Sequence, residues 1–164
     1  MKGCPVATTE TDLSTVFDAL KYAALQHTGQ VRKGRRGSPY INHLIDVLHV
    51  LWDIGGVRDT EVLTAAVLHD TVEDTDTTEQ EIADMYSPAV AAMVMEVTDD
   101  KSLPKEERKR LQVEHAASLS PGAKLIKLAD KISNVTDIIE RPPAKWTNTR
   151  LREYVEWGGD VIDR

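Results

Sequence analysis

The sequence predicts an all-α domain, and three observations predict it. Apolar residues recur at helical spacing through several segments, and no stretch sustains the apolar–polar alternation of a strand. With one Phe in 164 residues, the chain also lacks the aromatic supply typical of a sandwich or barrel. The expected architecture is a single helical bundle spanning residues 1–164, with at most a short β-hairpin near 33–40.

The elements follow in order. A first helix is expected over about Leu13–His27, with Val16, Leu20, Ala23, Ala24 and His27 near one side. A second begins around His43, carries Val47, Val50, Leu51 and Ile54 as its apolar stripe, and stops at Gly55-Gly56, where glycine supplies the C-cap. Val62–Leu68 forms a mainly apolar helical run that ends in His69-Asp70-Thr71-Val72-Glu73-Asp74-Thr75. Thr78-Glu79-Gln80-Glu81 has capping-box spacing, and Ser87-Pro88 and Ser120-Pro121 each read as an N-cap followed by proline at the first helical position. Lys105–Leu119 is heavily charged and reads as a solvated face. Lys124–Asn134 is apolar apart from Lys127, Asp130, Lys131 and its ends, and a last helix is expected over about Thr149–Ile162.

Composition narrows the function. The net charge of −7 argues against nonspecific nucleic-acid binding but leaves room for a phosphorylated small molecule, whose pocket is governed by local cations. The single Cys4 cannot close an internal disulfide, which favours a reducing cytoplasmic setting. No apolar run approaches membrane-spanning length, and Met1-Lys2-Gly3-Cys4 lacks the apolar segment of a signal peptide. Nothing in the chain implies an obligate protein partner.

The chemistry concentrates in a few positions. His69 and Asp70 offer an imidazole nitrogen and a carboxylate oxygen at the end of a core helix, and Glu73 lies four residues beyond His69. Asp130 interrupts an apolar helix, where a carboxylate is costly unless paired or bound to metal. With His43, the set His43, His69, Asp70 and Asp130 supplies two nitrogen and two oxygen donors, enough for one divalent ion with positions left for water and substrate. Such donors suit Mn²⁺ and also admit Fe²⁺, Co²⁺ or Zn²⁺. Glu73 and Asp74 are near enough in sequence to serve a bound water. Arg32 and Lys33 are the candidates to grip phosphate, and Asn134 shares a helix face with Asp130.

Four segments then carry a resemblance: His27-Thr28-Gly29-Gln30-Val31-Arg32-Lys33, Pro39-Tyr40-Ile41-Asn42-His43, Leu68–Thr75, and Lys127–Asn134. Together they resemble the hydrolase motifs of the RelA/SpoT-type HD domains, which remove the 3′-pyrophosphate of guanosine alarmones. Val97–Lys101, Glu107–Glu114 and Ser120–Leu125 narrow the match to the stand-alone small alarmone hydrolases, including the metazoan SpoT-homologue type, over roughly residues 12–160. Leu44 stands where the family often has proline, and the basic Lys33–Gly37 loop is a second departure.

The resemblance implies an HD-domain helical bundle and a manganese-dependent (p)ppGpp 3′-pyrophosphohydrolase. One Mn²⁺ would sit on His43, His69, Asp70 and Asp130, with Glu73 and Asp74 catalytic. Arg32, Lys33, Asn134, Arg150 and Tyr154 would meet the nucleotide. The alternatives are an HD phosphohydrolase acting on (p)ppApp, NADPH or 5′-nucleotides, and a non-catalytic nucleotide-sensing module. The full ligand set and the Glu-Asp pair count against the sensing module.

Overall fold

The helices are laid out around α3 (Thr60–Leu68), in which every residue from Val62 to Leu68 is buried. A helix apolar on all sides must be enclosed. Here α1 (Leu13–Gln26), α2 (Ile41–His49), α6 (Pro88–Val97) and α8 (Pro121–Glu140) pack against it. A computed structural model gives this arrangement for residues 12–32 and 37–164, so Cys4 and Lys33 fall outside the described residues. The remaining helices are α4 (Thr71–Asp74), α5 (Glu79–Met85), α7 (Lys105–His115) and α9 (Asn148–Ile162). No helix among the described residues is long and apolar enough to cross a membrane.

Local chemistry fixes the helix starts. Asp12 caps α1 by accepting from the Ser14 and Thr15 amides, and Asp59 caps α3 in the same way through Glu61 and Val62. Thr78 and Glu81 close the expected capping box of α5. Ser87 and Ser120 cap α6 and α8 with proline in the first turn, as the sequence predicts. At Gly122 a side chain would collide with Met93 and crowd Val62, so the start of α8 lies directly on α6 and α3.

Two expectations need correction. The apolar stripe of α2 does not continue to Ile54, which is 71% exposed. Residues Val50–Ile54 form a π-turn closed by the Gly55 amide bonding to the Val50 carbonyl at 2.9 Å. The wider turn keeps Leu51 buried but rotates Ile54 outward. The hairpin near 33–40 reduces, among the described residues, to one antiparallel bridge between Val31 and Pro39. Pro39 has no amide to extend a ladder. The bridge nevertheless brings Tyr40 back over Gln30 through an amide–carbonyl bond of 3.0 Å.

Candidate active site

Three helices converge on one polar cluster. His43, in the first turn of α2, is buried, with Nδ1 at 3.0 Å from the Ser133 hydroxyl on α8. Its Nε2 faces Asp130 Oδ1 at 3.2 Å and Asp70 Oδ2 at 3.6 Å. His69 is the C-cap of α3, and its Nδ1 lies 2.8 Å from the Ala66 carbonyl. A carbonyl can only accept, so Nδ1 donates there and Nε2 is the atom turned to the cluster. Asp70 Oδ2 comes within 3.0 Å of that Nε2 and Asp130 Oδ1 within 3.8 Å. Neither approach has the alignment of a hydrogen bond, and His69 Nε2 is buried without a partner.

Electrostatics give the same picture. Burial alone would lower the His69 pKa, but the Asp70 and Asp130 carboxylates outweigh it and lift it to about 10. Burial pushes the Asp70 carboxyl up, yet His69 and His43 hold it well below the usual carboxylate range. Asp130 behaves likewise, with Lys131 and the two imidazoles overcoming burial. The cluster thus keeps two buried carboxylates ionised beside an imidazole nitrogen that lacks a hydrogen bond. His43, His69 and Asp130 each present one ligand atom, all within 4.8 Å of one another, and Asp70 adjoins them. This donor set fits a divalent ion.

An outer layer holds these groups. The Tyr40 hydroxyl donates to Asp70 Oδ2 at 2.6 Å, and the Tyr40 ring stacks on His27 at 4.7 Å. Burial and the Asp70 charge push the Tyr40 phenol up, so it remains a donor. Lys131, buried on α8, donates to Asp130 Oδ2 at 3.1 Å and lies 4.5 Å over the Trp157 indole. Asn134 bridges two charges: its amide nitrogen donates to Asp130 Oδ1, and its oxygen accepts from Arg32 at 2.7 Å. Such partners orient metal ligands and fix their basicity.

Tyr40 and Asn134 also line a cleft of about 1070 Å³. Arg32, Lys101, Lys105, Arg108, Arg141 and Arg150 line it as well, so an acidic protein carries a cation-rich cleft. Glu73 and Asp74 stand on its wall. Glu73 Oε2 accepts the Asp99 amide at 3.0 Å, and the Lys101 ammonium is 3.3 Å from Oε1; Lys101 also donates to Asp74. Burial raises the Glu73 carboxyl despite the Asp99 amide. Arg150 lies 4.3 Å over the Trp146 ring, and Tyr154 packs between Trp146 and Trp157. Burial also raises the Tyr154 phenol.

The structure therefore brings together His43, His69, Asp70 and Asp130, and places Glu73, Asp74, Arg32, Asn134, Arg150 and Tyr154 around one cleft. Lys33 lies outside the described residues. Glu73 does not continue the helix of His69, because the chain breaks at Asp70 and restarts as the one-turn α4. Sequence reasoning missed Tyr40, Lys101, Asp137 and Arg141. Asp137 holds Arg32 through bonds of 2.9 and 3.2 Å and accepts from Arg141 at 2.6 Å. Its signal was present, since Asp137 follows Asn134 by three residues on the same helix face. The solvated reading of Lys105–Leu119 suits Arg110 and Glu114, whereas Lys105 and Arg108 line the cleft.

Comparison with known proteins agrees with this geometry. A model of the HD-domain family matches residues 19–154. The chain is 50% identical over 151 residues to the human guanosine-3′,5′-bis(diphosphate) 3′-pyrophosphohydrolase MESH1, covering 92% of this chain and 84% of that one. It is 47% identical over 147 residues to the Drosophila melanogaster protein of the same name, covering 90% and 82%. A solved structure of a metazoan SpoT orthologue, described as hydrolysing ppGpp, superposes with a TM-score of 0.88 at 45% identity, over 96% of this chain and 87% of that one. The chain belongs to the HD-domain family, in its RelA/SpoT-type branch of small metazoan SpoT homologues.

Proposed function

We propose that this chain is a (p)ppGpp 3′-pyrophosphohydrolase, converting guanosine 3′,5′-bis(diphosphate) and water to guanosine 5′-diphosphate and pyrophosphate. The observation that carries the reading is the His43/His69/Asp70/Asp130 cluster behind a cation-rich cleft, in a chain half identical to proteins named for that reaction.

His43, His69, Asp70 and Asp130 would hold the divalent ion, and Mn²⁺ suits their mixed imidazole–carboxylate set. Such an ion supplies an acidified water and neutralises charge on a phosphoryl oxygen. The raised carboxyl of Glu73 makes it the better proton acceptor of the Glu73–Asp74 pair, while Asp74, tied to Lys101, orients. Arg32, with Lys33 next to it in sequence, grips phosphate, and Asn134 meets the ribose side. Arg150 and Tyr154 receive the 5′ side and the base, with Tyr154 offering a face for purine stacking. We read the whole chain as one catalytic domain that works in the cytoplasm without an obligate partner.

The test is hydrolysis by the purified Mn²⁺-loaded protein of ppGpp, its adenosine analogue, NADPH and 5′-nucleotides, with products resolved by anion-exchange chromatography. Pyrophosphate and guanosine 5′-diphosphate should appear in equal amounts. Release of orthophosphate alone, or activity confined to 5′-monophosphates, would overturn the proposal.

A further inference from the structure

Arg108 differs from Arg32 and Arg141, the cleft arginines that are hydrogen-bonded to α8. It occupies the first turn of α7 and lines the cleft with a side chain only 24% exposed. Its nearest carboxylates, Glu73 Oε1 and Asp99 Oδ2, lie at 3.9 and 4.0 Å, close enough for attraction and too far for hydrogen bonds. Both acids are already engaged. Glu73 takes the Asp99 amide and the Lys101 ammonium, and Asp99 Oδ2 accepts from the Gln112 amide at 2.7 Å. Meanwhile Arg108 Nε is buried with no hydrogen-bond partner among the described residues.

The contrast with neighbouring arginines is informative. Arg32 is bonded to Asn134 and Asp137, and Arg141 to Asp137. Arg110, two residues along α7, pairs with Glu107 and Glu114 on the outer surface. A guanidinium carries five donors, and buried donors are nearly always satisfied. A cleft-lining fork held by attraction alone, beside the carboxylate nearest in sequence to the His69-Asp70 pair, is arranged to receive an oxyanion.

We propose that Arg108 binds phosphoryl oxygens of the pyrophosphate group next to Glu73, both in the substrate and in the departing product. The proposal rests on the hydrolase reading above. Glu73 sits in the one-turn α4 whose N-cap is Asp70, which places this contact at the end of the cleft that adjoins the ligand cluster. Arg32 and Asn134 are fixed from α8 and serve a different part of the nucleotide. Arg108 thus adds a phosphate contact from α7.

The experiment is calorimetric titration of inorganic pyrophosphate into the Mn²⁺-loaded protein at fixed free metal, together with product inhibition by pyrophosphate. Arg108→Gln should weaken pyrophosphate binding about tenfold or more, the scale of losing hydrogen bonds to a charged group. Metal content and melting temperature should hold. Arg108→Lys, which keeps the charge and loses the fork, should fall between Arg108→Gln and the parent, and Arg110→Gln should match the parent. Pyrophosphate binding within twofold of the parent in both Arg108 variants overturns the proposal, as does a fall in kcat with pyrophosphate binding intact, which would mean that Arg108 acts only on Glu73. If the parent protein binds pyrophosphate through Arg108 yet releases none from ppGpp, the hydrolase reading fails and, of this inference, the pyrophosphate contact at Arg108 alone survives.

Discussion

Replacing Asn134 with leucine separates the proposed metal cluster from Arg32, the proposed phosphate grip, because this amide is the shared link between Asp130 and Arg32. Leucine keeps the branching at Cγ but offers neither donor nor acceptor, so the change falls chiefly on the hydrogen bonds. Asp130 loses the donor on Oδ1 but keeps Lys131 on Oδ2. Arg32 loses one acceptor and keeps two bonds to Asp137. Each lost bond is to a charged group, worth about 1.5–3 kcal/mol before the remaining partners readjust. Asp130 retains most of its partners, so the lower half of that range applies to metal binding. The expectation is a loss of about 10–40-fold in metal affinity, inside the roughly 10–100-fold scale observed when partners of metal ligands are removed.

The assay is titration of Mn²⁺ into chelator-stripped protein, with no nucleotide present. Substrate contacts cannot contribute to that measurement, so a weakened metal isotherm reports the orientation of Asp130 directly. If Asn134→Leu binds Mn²⁺ within twofold of the parent while turnover falls, Asn134 acts on the nucleotide alone and the reasoning is refuted.

Four further outcomes follow from the same geometry. His43→Ala and Asp130→Ala should each lose metal and activity together; full metal occupancy by elemental analysis in both would remove them as ligands. Glu73→Gln should retain metal yet lose at least about a hundredfold in turnover, and near-parental rates would exclude it as the proton acceptor. Burial alone would raise the Asp137 carboxyl, but Arg32 and Arg141 hold it below the usual carboxylate range. Its ionised form therefore stabilises the fold above the ordinary carboxylate pKa, and that contribution is lost as pH falls through the lowered folded value. The melting-temperature gap between the parent and Asp137→Asn should be widest above the ordinary carboxylate pKa and close as pH falls through the lowered folded value; a gap that stays constant counts against the pairing. Finally, Leu51→Ala should cost about 2–5 kcal/mol by chemical denaturation and Ile54→Ala within about 0.5 kcal/mol, since the π-turn buries the first and exposes the second. Equal losses would restore a continuous apolar stripe.

Much of this was legible because helices announce themselves locally. Thr78–Glu81, Ser87-Pro88 and Ser120-Pro121 set three helix starts by chemistry within four residues. The run Val62–Leu68 declared the buried centre by lacking a polar face. The ligand candidates were visible as polar groups breaking apolar patterns, Asp130 above all. The π-turn was not legible, since Val50, Leu51 and Ile54 satisfy an ordinary helical period and only the register of backbone bonds moves Ile54 outward. Tyr40 and Lys101 stayed hidden for a different reason. Their partners Asp70, Glu73 and Asp74 lie some 27 to 30 residues away in the chain, and no periodicity encodes such pairs. The motif around Gln30 became intelligible only in three dimensions. The backbone turns at Gly29 with φ +80°, and the Gln30 amide reaches the Asp74 carbonyl at 2.8 Å.

One face of α8 explains how the His–Asp cluster and the open cleft become a single surface. Lys127, Asp130, Asn134, Asp137 and Arg141 recur at intervals of three and four, so they form one stripe along the helix. Lys127 is anchored in the interior on the Val97 carbonyl at 3.1 Å, Asp130 joins the ligand cluster, and Asn134 and Asp137 pass the contact to Arg32. Arg141 ends the stripe on the cleft wall. From Asp130 to Arg141 the helix advances about 16 Å, long enough to run beside a nucleoside carrying phosphates at both ends. Exposure rises along the stripe, from 13% at Asp130 through 21% at Asp137 to 58% at Arg141. The helix that seals the core with Ala123, Ile126 and Ala129 on one face thus carries a polar gradient from metal ligands to solvent on another. That division of labour explains why a polar stripe persists on a helix whose other face is needed for folding.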